Sequence, residues 1–192
     1  MKIEAAHKTD AVELAYLINL AGEGIPAYLW SEMVEGAEQI MEVGARRAAR
    51  EEGGFSYRNA QVVKIGGEIA GMMIAYRLDE PYETGDLVEY PAVVRPLIEL
   101  EAQAAGSWYI NAIATKQVYR GRGVARLLLA KAESDASDHD IGCVSLIVAS
   151  ENVTARALYL KLGYQPVAAL LIVGYPGIPP QGKWELLVKS WE

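Results

Sequence analysis

The chain has 192 residues, 52% of them apolar and 22% charged, with 25 acidic against 18 basic side chains and a formal net charge of −7. That length suits a single domain over residues 1–192 with a sizeable core, and the acidic balance argues against nucleic acid or an anionic membrane as partner. One cysteine, Cys143, excludes an internal disulfide framework, and two distant histidines, His7 and His139, leave no metal site visible.

Lys2 to Ala6 reads as a first strand. The N-terminus turns polar at once, with no signal-peptide core, and the longest apolar run, around Val167 to Val173, falls far short of the roughly 20 residues a membrane span needs. A cytoplasmic protein is expected. Asp10, with Glu13 three residues on, predicts a helix start, and the apolar stripe runs to about Ala21. Gly22 to Pro26 breaks it. A second helix is expected from Ser31 to about Arg50, acidic early (Glu32, Glu35) and basic late (Arg46, Arg47, Arg50), the sense a helix dipole favours. The loop between them exposes Tyr28, Leu29 and Trp30.

Ala60 to Ile65 and Ile69 to Tyr76 read as strands joined by Gly66-Gly67, a two-residue hairpin turn. Residues 77–107 are acidic and punctuated by prolines, with a short helix starting near Pro96 and running to Ala105. Trp108 to Thr115 is a further strand, and Val124 to Ala136 a helix with apolar residues at helical spacing. Between them lies Arg120-Gly121-Arg122-Gly123-Val124-Ala125. Unpaired N–H groups and the positive dipole end of a helix N-terminus, with glycines that admit an anion to the backbone, predict a phosphate or pyrophosphate site. A plain turn carrying solvated arginines is the alternative, and neither the Gly-x-x-x-x-Gly-Lys-Ser/Thr nor the Gly-x-Gly-x-x-Gly fingerprint is present.

Cys143 to Ala149 is a second apolar strand, where a buried thiol reads as inert. Ser150-Glu151-Asn152 leads into a helix ending at Leu162-Gly163-Tyr164. Tyr164 to Gly174 is another strand, Pro176 to Lys183 a loop, and Trp184 to Trp191 closes the sheet, placing two tryptophans at an edge that suits a homodimer. Strands alternating with helices in the middle, flanked by hairpins, argue a mixed α/β sheet.

Two motifs together carry a family resemblance over roughly residues 108–165. Arg120-x-x-Gly123-x-Ala125 matches Gln/Arg-x-x-Gly-x-Gly/Ala, and Asn152, Ala155, Leu158-Tyr159 and Leu162-Gly163-Tyr164 match the downstream pattern at the right separation. The chain thereby resembles the GNAT superfamily of acetyl-coenzyme A-dependent N-acetyltransferases. The resemblance implies a six- or seven-stranded sheet whose two central strands splay apart, with acetyl-CoA as co-substrate. It implies that Ile113, Ala114 and Thr115 pair with the pantetheine arm, and that the loop from Arg120 through Gly121, Arg122, Gly123, Val124 and Ala125 to Arg126 holds the pyrophosphate. Asn152 would cap its helix, touch the cofactor arm, or both. Tyr159 would be the general acid towards the coenzyme thiolate, since a phenol with pKa about 10 stays protonated at neutral pH.

The general base is where the chain departs from the family. Tyr109 and Ile147 stand where relatives carry a glutamate. Glu99, Glu101 or a water chain through Tyr109 and Asn111 are the alternatives, and core filling is the competing reading of the last two. Tyr28, Trp30, Glu32 and Glu35 are candidate liners for a cationic acceptor, or else interface or partial core. The expected activity is acetylation of a primary amine on a small molecule or peptide; a non-catalytic acyl-CoA-binding module is the alternative.

Overall fold

The computed structural model describes residues 1–191. Seven strands form one mixed sheet in the order β1-β2-β3-β4-β5-β7-β6, and six α-helices accompany it among the described residues. None of these helices is long and apolar enough to cross a membrane. The chain divides into two compact units, residues 1–76 with 111–132, and residues 77–110 with 133 onwards.

In the first unit, β1 (Lys2–Ala5) pairs antiparallel with β2 (Ala60–Ile65), which hairpins into β3 (Glu68–Arg77). Gly66 and Gly67 both have positive φ, as the tight turn between them requires. Helix α1 (Ala11–Ala21) lays Leu14, Leu17 and Ile18 on the core. The Asp10 carboxylate acts one turn earlier than its spacing predicts, accepting from the His7 N–H. Glu13 instead pairs with Lys116.

Of the long helix expected over 31–50 only residues 40–48 form one, and a separate short helix, ending at Ser31, precedes them where a break and a loop were expected. The first helix ends at Ala21, where the break was expected, and Pro26 then opens another: α2 (Ile25–Ser31) has proline in its first turn, where a missing N–H is harmless. Gly36, at φ +60°, then turns the chain before α3 (Ile40–Ala48), which Gln39 and Glu42 cap reciprocally. Tyr28, Leu29 and Trp30 therefore lie on a helix rather than a loop. Trp30 is only 5% exposed, and its ring lies where a side chain on Gly44 would stand.

Gly71 on β3 fixes the far end of β4 (Trp108–Thr115). A Cβ there would stand 2.6 Å from the Ala114 carbonyl oxygen and 2.8 Å from Val124 Cγ1, while Lys116 N–H donates to the Ala70 carbonyl. A backbone oxygen cannot swing aside, so Gly71→Ala must shift strand from strand. We expect a loss of about 1–3 kcal/mol, read as a melting temperature lower by roughly 2–12 °C. A melting temperature equal to wild type would show that the β3–β4 approach is not tight.

In the second unit, α4 (Arg95–Ala102) lies against β6 (Gln165–Leu171) and β7 (Lys183–Ser190). The start of β4 pairs in parallel with β5 (Cys143–Ala149) through Trp108↔Val144, Tyr109↔Ser145 and Ile110↔Leu146. The C-terminal strand does not close the sheet as its position in the sequence suggests. β7 runs antiparallel between β5 and β6, with Trp184 buried, so the edge strand is β6. Arg156 on α6 (Val153–Lys161) bonds Glu185, and Lys189 pairs with Glu133, tying β7 down near each of its ends.

Candidate active site

In the first unit, β4 delivers Ile113, Ala114 and Thr115 directly to the glycine loop. Ala114 is buried; Ile113 and Thr115 are half-buried. A 3₁₀ turn (Gln117–Tyr119) follows, then extended Arg120. Gly121 and Gly123 adopt φ of +75° and +83°, conformations that side-chain-bearing residues rarely hold, and a Cβ on either would meet nothing within 4 Å. Both glycines thus shape the backbone and leave open space beside it.

Helix α5 (Val124–Asp138) starts at once. Its ladder opens with Leu127 N–H donating to the Gly123 carbonyl, which leaves the amides of Val124, Ala125 and Arg126 in a first turn without intrahelical acceptors. Arg120, Arg122 and Arg126 are exposed around it. The Arg122 guanidinium lies 5.5 Å over the Tyr119 ring, whose hydroxyl donates to Glu68. Arg122 is therefore docked on its own loop. Loop, dipole and charge together suit a phosphate-bearing ligand.

In the second unit, Asn152 accepts from the Ala155 N–H and caps α6. About two turns after Asn152, Tyr159 is 7% exposed, with its ring 6.0 Å from that of Tyr164. Burial pushes its phenol up to about 12. Burial, with Glu80 nearby, pushes the Cys143 thiol up as well, the wrong direction for a nucleophile.

Residues 27–164 match the family model described as Acetyltransferase (GNAT) family. The chain belongs to this family. It is an acyltransferase, and its activity is acetyl transfer. Among curated proteins no sequence matches it. Solved structures of the same fold include a polyamine N-acetyltransferase from Drosophila melanogaster (TM-score 0.71, 16% identity, 99% of each chain covered). An N-acetyltransferase from Staphylococcus aureus aligns at TM-score 0.64 and 19% identity over 98% of this chain and all of that one. A ribosomal-protein-alanine N-acetyltransferase from Brucella melitensis aligns at 0.63 and 18%, covering both chains in full. At such identities the likeness is one of fold.

The remaining candidates of this GNAT chain are placed as follows. Tyr28 is half-buried on α2, where Trp30 is taken up by the core. Asn111 donates to the Tyr76 hydroxyl over 2.6 Å. Tyr109 is 3% exposed and hydrogen-bonds Glu101, as does Tyr82. Glu99 is exposed. Tyr76 and Tyr82 escape a reading of the sequence, because their partners lie 35 and 19 residues away. No local spacing announces either pair.

Proposed function

We propose that the chain transfers the acetyl group of acetyl-CoA to a primary amine of a small molecule or peptide by direct attack, the whole chain serving as one N-acetyltransferase domain in the cytoplasm. The observation that carries the reading is the pair of left-handed glycines opening onto the first turn of α5. Backbone amides from Gly121 to Arg126 hold the pyrophosphate, and Ile113, Ala114 and Thr115 pair with the pantetheine arm. Arg120 and Arg122 add positive potential, and Asn152 orients the arm while capping α6. The names of similarly folded proteins support both acceptor classes: one forms N-acetylagmatine, another acts on a ribosomal-protein alanine. The net charge of −7 suits a cationic acceptor.

Tyr159 serves as general acid. The amine nitrogen attacks the thioester carbonyl, the C–N bond forms and the C–S bond breaks. One ammonium proton is lost before attack, a second leaves the nitrogen as the amide forms, and the third stays on it. The Tyr159 hydroxyl protonates the departing thiolate and regains its proton from the nitrogen or solvent.

Isothermal titration of the protein with acetyl-CoA, desulfo-CoA and ATP tests the cofactor, and thiol release across a panel of amines tests the reaction. Binding of both coenzyme forms but not ATP, with amine-dependent thiol release, is the expected result. Absence of coenzyme binding would overturn the assignment.

A further inference from the structure

The sheet ends on two very different strands. β1 is four residues long and carries Lys2 and Glu4, with Glu4 paired to both Lys2 and Lys64. A short, charged edge of this kind resists a further strand. β6, at the other end, has neither guard. From Leu162 to Gly182 the chain carries no charge, although 22% of its residues do. β6 spans seven residues and, among the described residues, pairs with β7 alone, so its outer N–H and C=O groups have no strand beside them. Pro166 and a register shift before Ala168 protect only its start. From Ala168 to Leu171 the pairing with β7 is regular. Ala168 and Leu170 are half-buried there, while Ala169 and Leu171 are exposed, Leu171 by 70%, and Val167 just before them by 57%.

We propose that β6 pairs antiparallel with β6 of a second copy about a two-fold axis through Leu170, giving a symmetric dimer. A strand paired with itself is the isologous case, in which each contact occurs twice. The register centred on Leu170 sets Ala169 opposite Leu171 of the second copy and Ala168 opposite its Ile172, so that a small side chain meets a large one at each of these steps. It also keeps the irregular start of β6 outside the central ladder. Charge points to the same occupant. Each copy carries −7, so two copies repel over most of their surfaces, and this uncharged strip is where they approach at least cost. Seven residues of strand are only about 23 Å long, so the contact falls below the ~800 Å² per partner of a standard interface, and a dissociation constant of about 10–100 μM is expected. Such a dimer does not depend on what the chain acetylates.

Sedimentation velocity on the full chain from about 1 to about 300 μM, with melting temperature alongside, tests the pairing. Wild type is expected to pass from monomer to dimer across that range. Leu171→Glu, at an exposed position, should melt as wild type does and dimerise about tenfold more weakly or worse, because each dimer would bury two carboxylates against Ala169. The double variant Ala169→Lys/Leu171→Glu sets a lysine opposite a glutamate twice across the axis, and should dimerise about threefold more tightly than Leu171→Glu. A wild type that stays monomeric at about 300 μM overturns the proposal and leaves the edge to an extended segment of another protein. A Leu171→Glu variant that dimerises as wild type does, or a double variant no tighter than the single one, overturns it as well.

Discussion

Tyr159→Phe is expected to lower kcat about 100-fold or more while acetyl-CoA binds within twofold of wild type, because the change removes one hydroxyl and keeps the ring. The ring is the part that packs: it is 7% exposed beside Tyr164. With its phenol pushed up to about 12 by burial, Tyr159 holds its proton throughout the neutral range. The same burial makes it a weaker acid, so the donation is effective only against a thiolate that is itself poorly solvated. Single-turnover thiol release in the two proteins decides the matter, and equal rates would remove Tyr159 from the chemistry.

The same shift has a consequence for stability. A phenol whose pKa rises from 10 to about 12 on folding favours the native state fully below pH 10. That contribution is lost as pH climbs through 12. Alkaline unfolding of Tyr159→Phe should therefore begin later than that of wild type.

Gly123→Val should weaken acetyl-CoA binding at least 100-fold, roughly 2.7 kcal/mol. At φ +83° a β-branched residue is strained whatever the space around it. Relaxing that strain turns the amides of the α5 first turn, and the new methyls fill the side on which a phosphate would approach. Gly66→Val supplies the control: φ is +62° there too, and a Cβ again meets nothing within 4 Å, but the residue belongs to the β2–β3 hairpin. Both variants should melt a few degrees lower, and only the first should lose coenzyme affinity by titration calorimetry. Equal losses would point to general damage.

The elements around the loop were legible because each announces itself locally. Trp108–Thr115 and Cys143–Ala149 are short apolar runs ended by polar or glycine-rich sequence, and both have the bounds their residues predict. Val124 begins α5 as the glycines before it require. Gly36 hid inside a pattern whose charges favoured one continuous helix, and a lone glycine does not reveal its φ. Strand order was illegible for a different reason. Cys143 pairs with Ser190, a partner 47 residues away that no periodicity identifies. The Glu101 cluster has the same origin, drawing on a turn, a helix and a strand.

The place of β7 also bears on how the protein is made. Among the described residues β6 has β7 as its only strand partner, and β5 has β7 along the whole of one edge. During synthesis, at about 5–20 residues per second, β5 and β6 are translated before the residues of β7 that join them. Until β7 joins them two ladders stay open, one of them β5, which is almost entirely apolar. The nascent chain is therefore most exposed to mispairing after β5 and β6 have been made and before its last strand pairs with them.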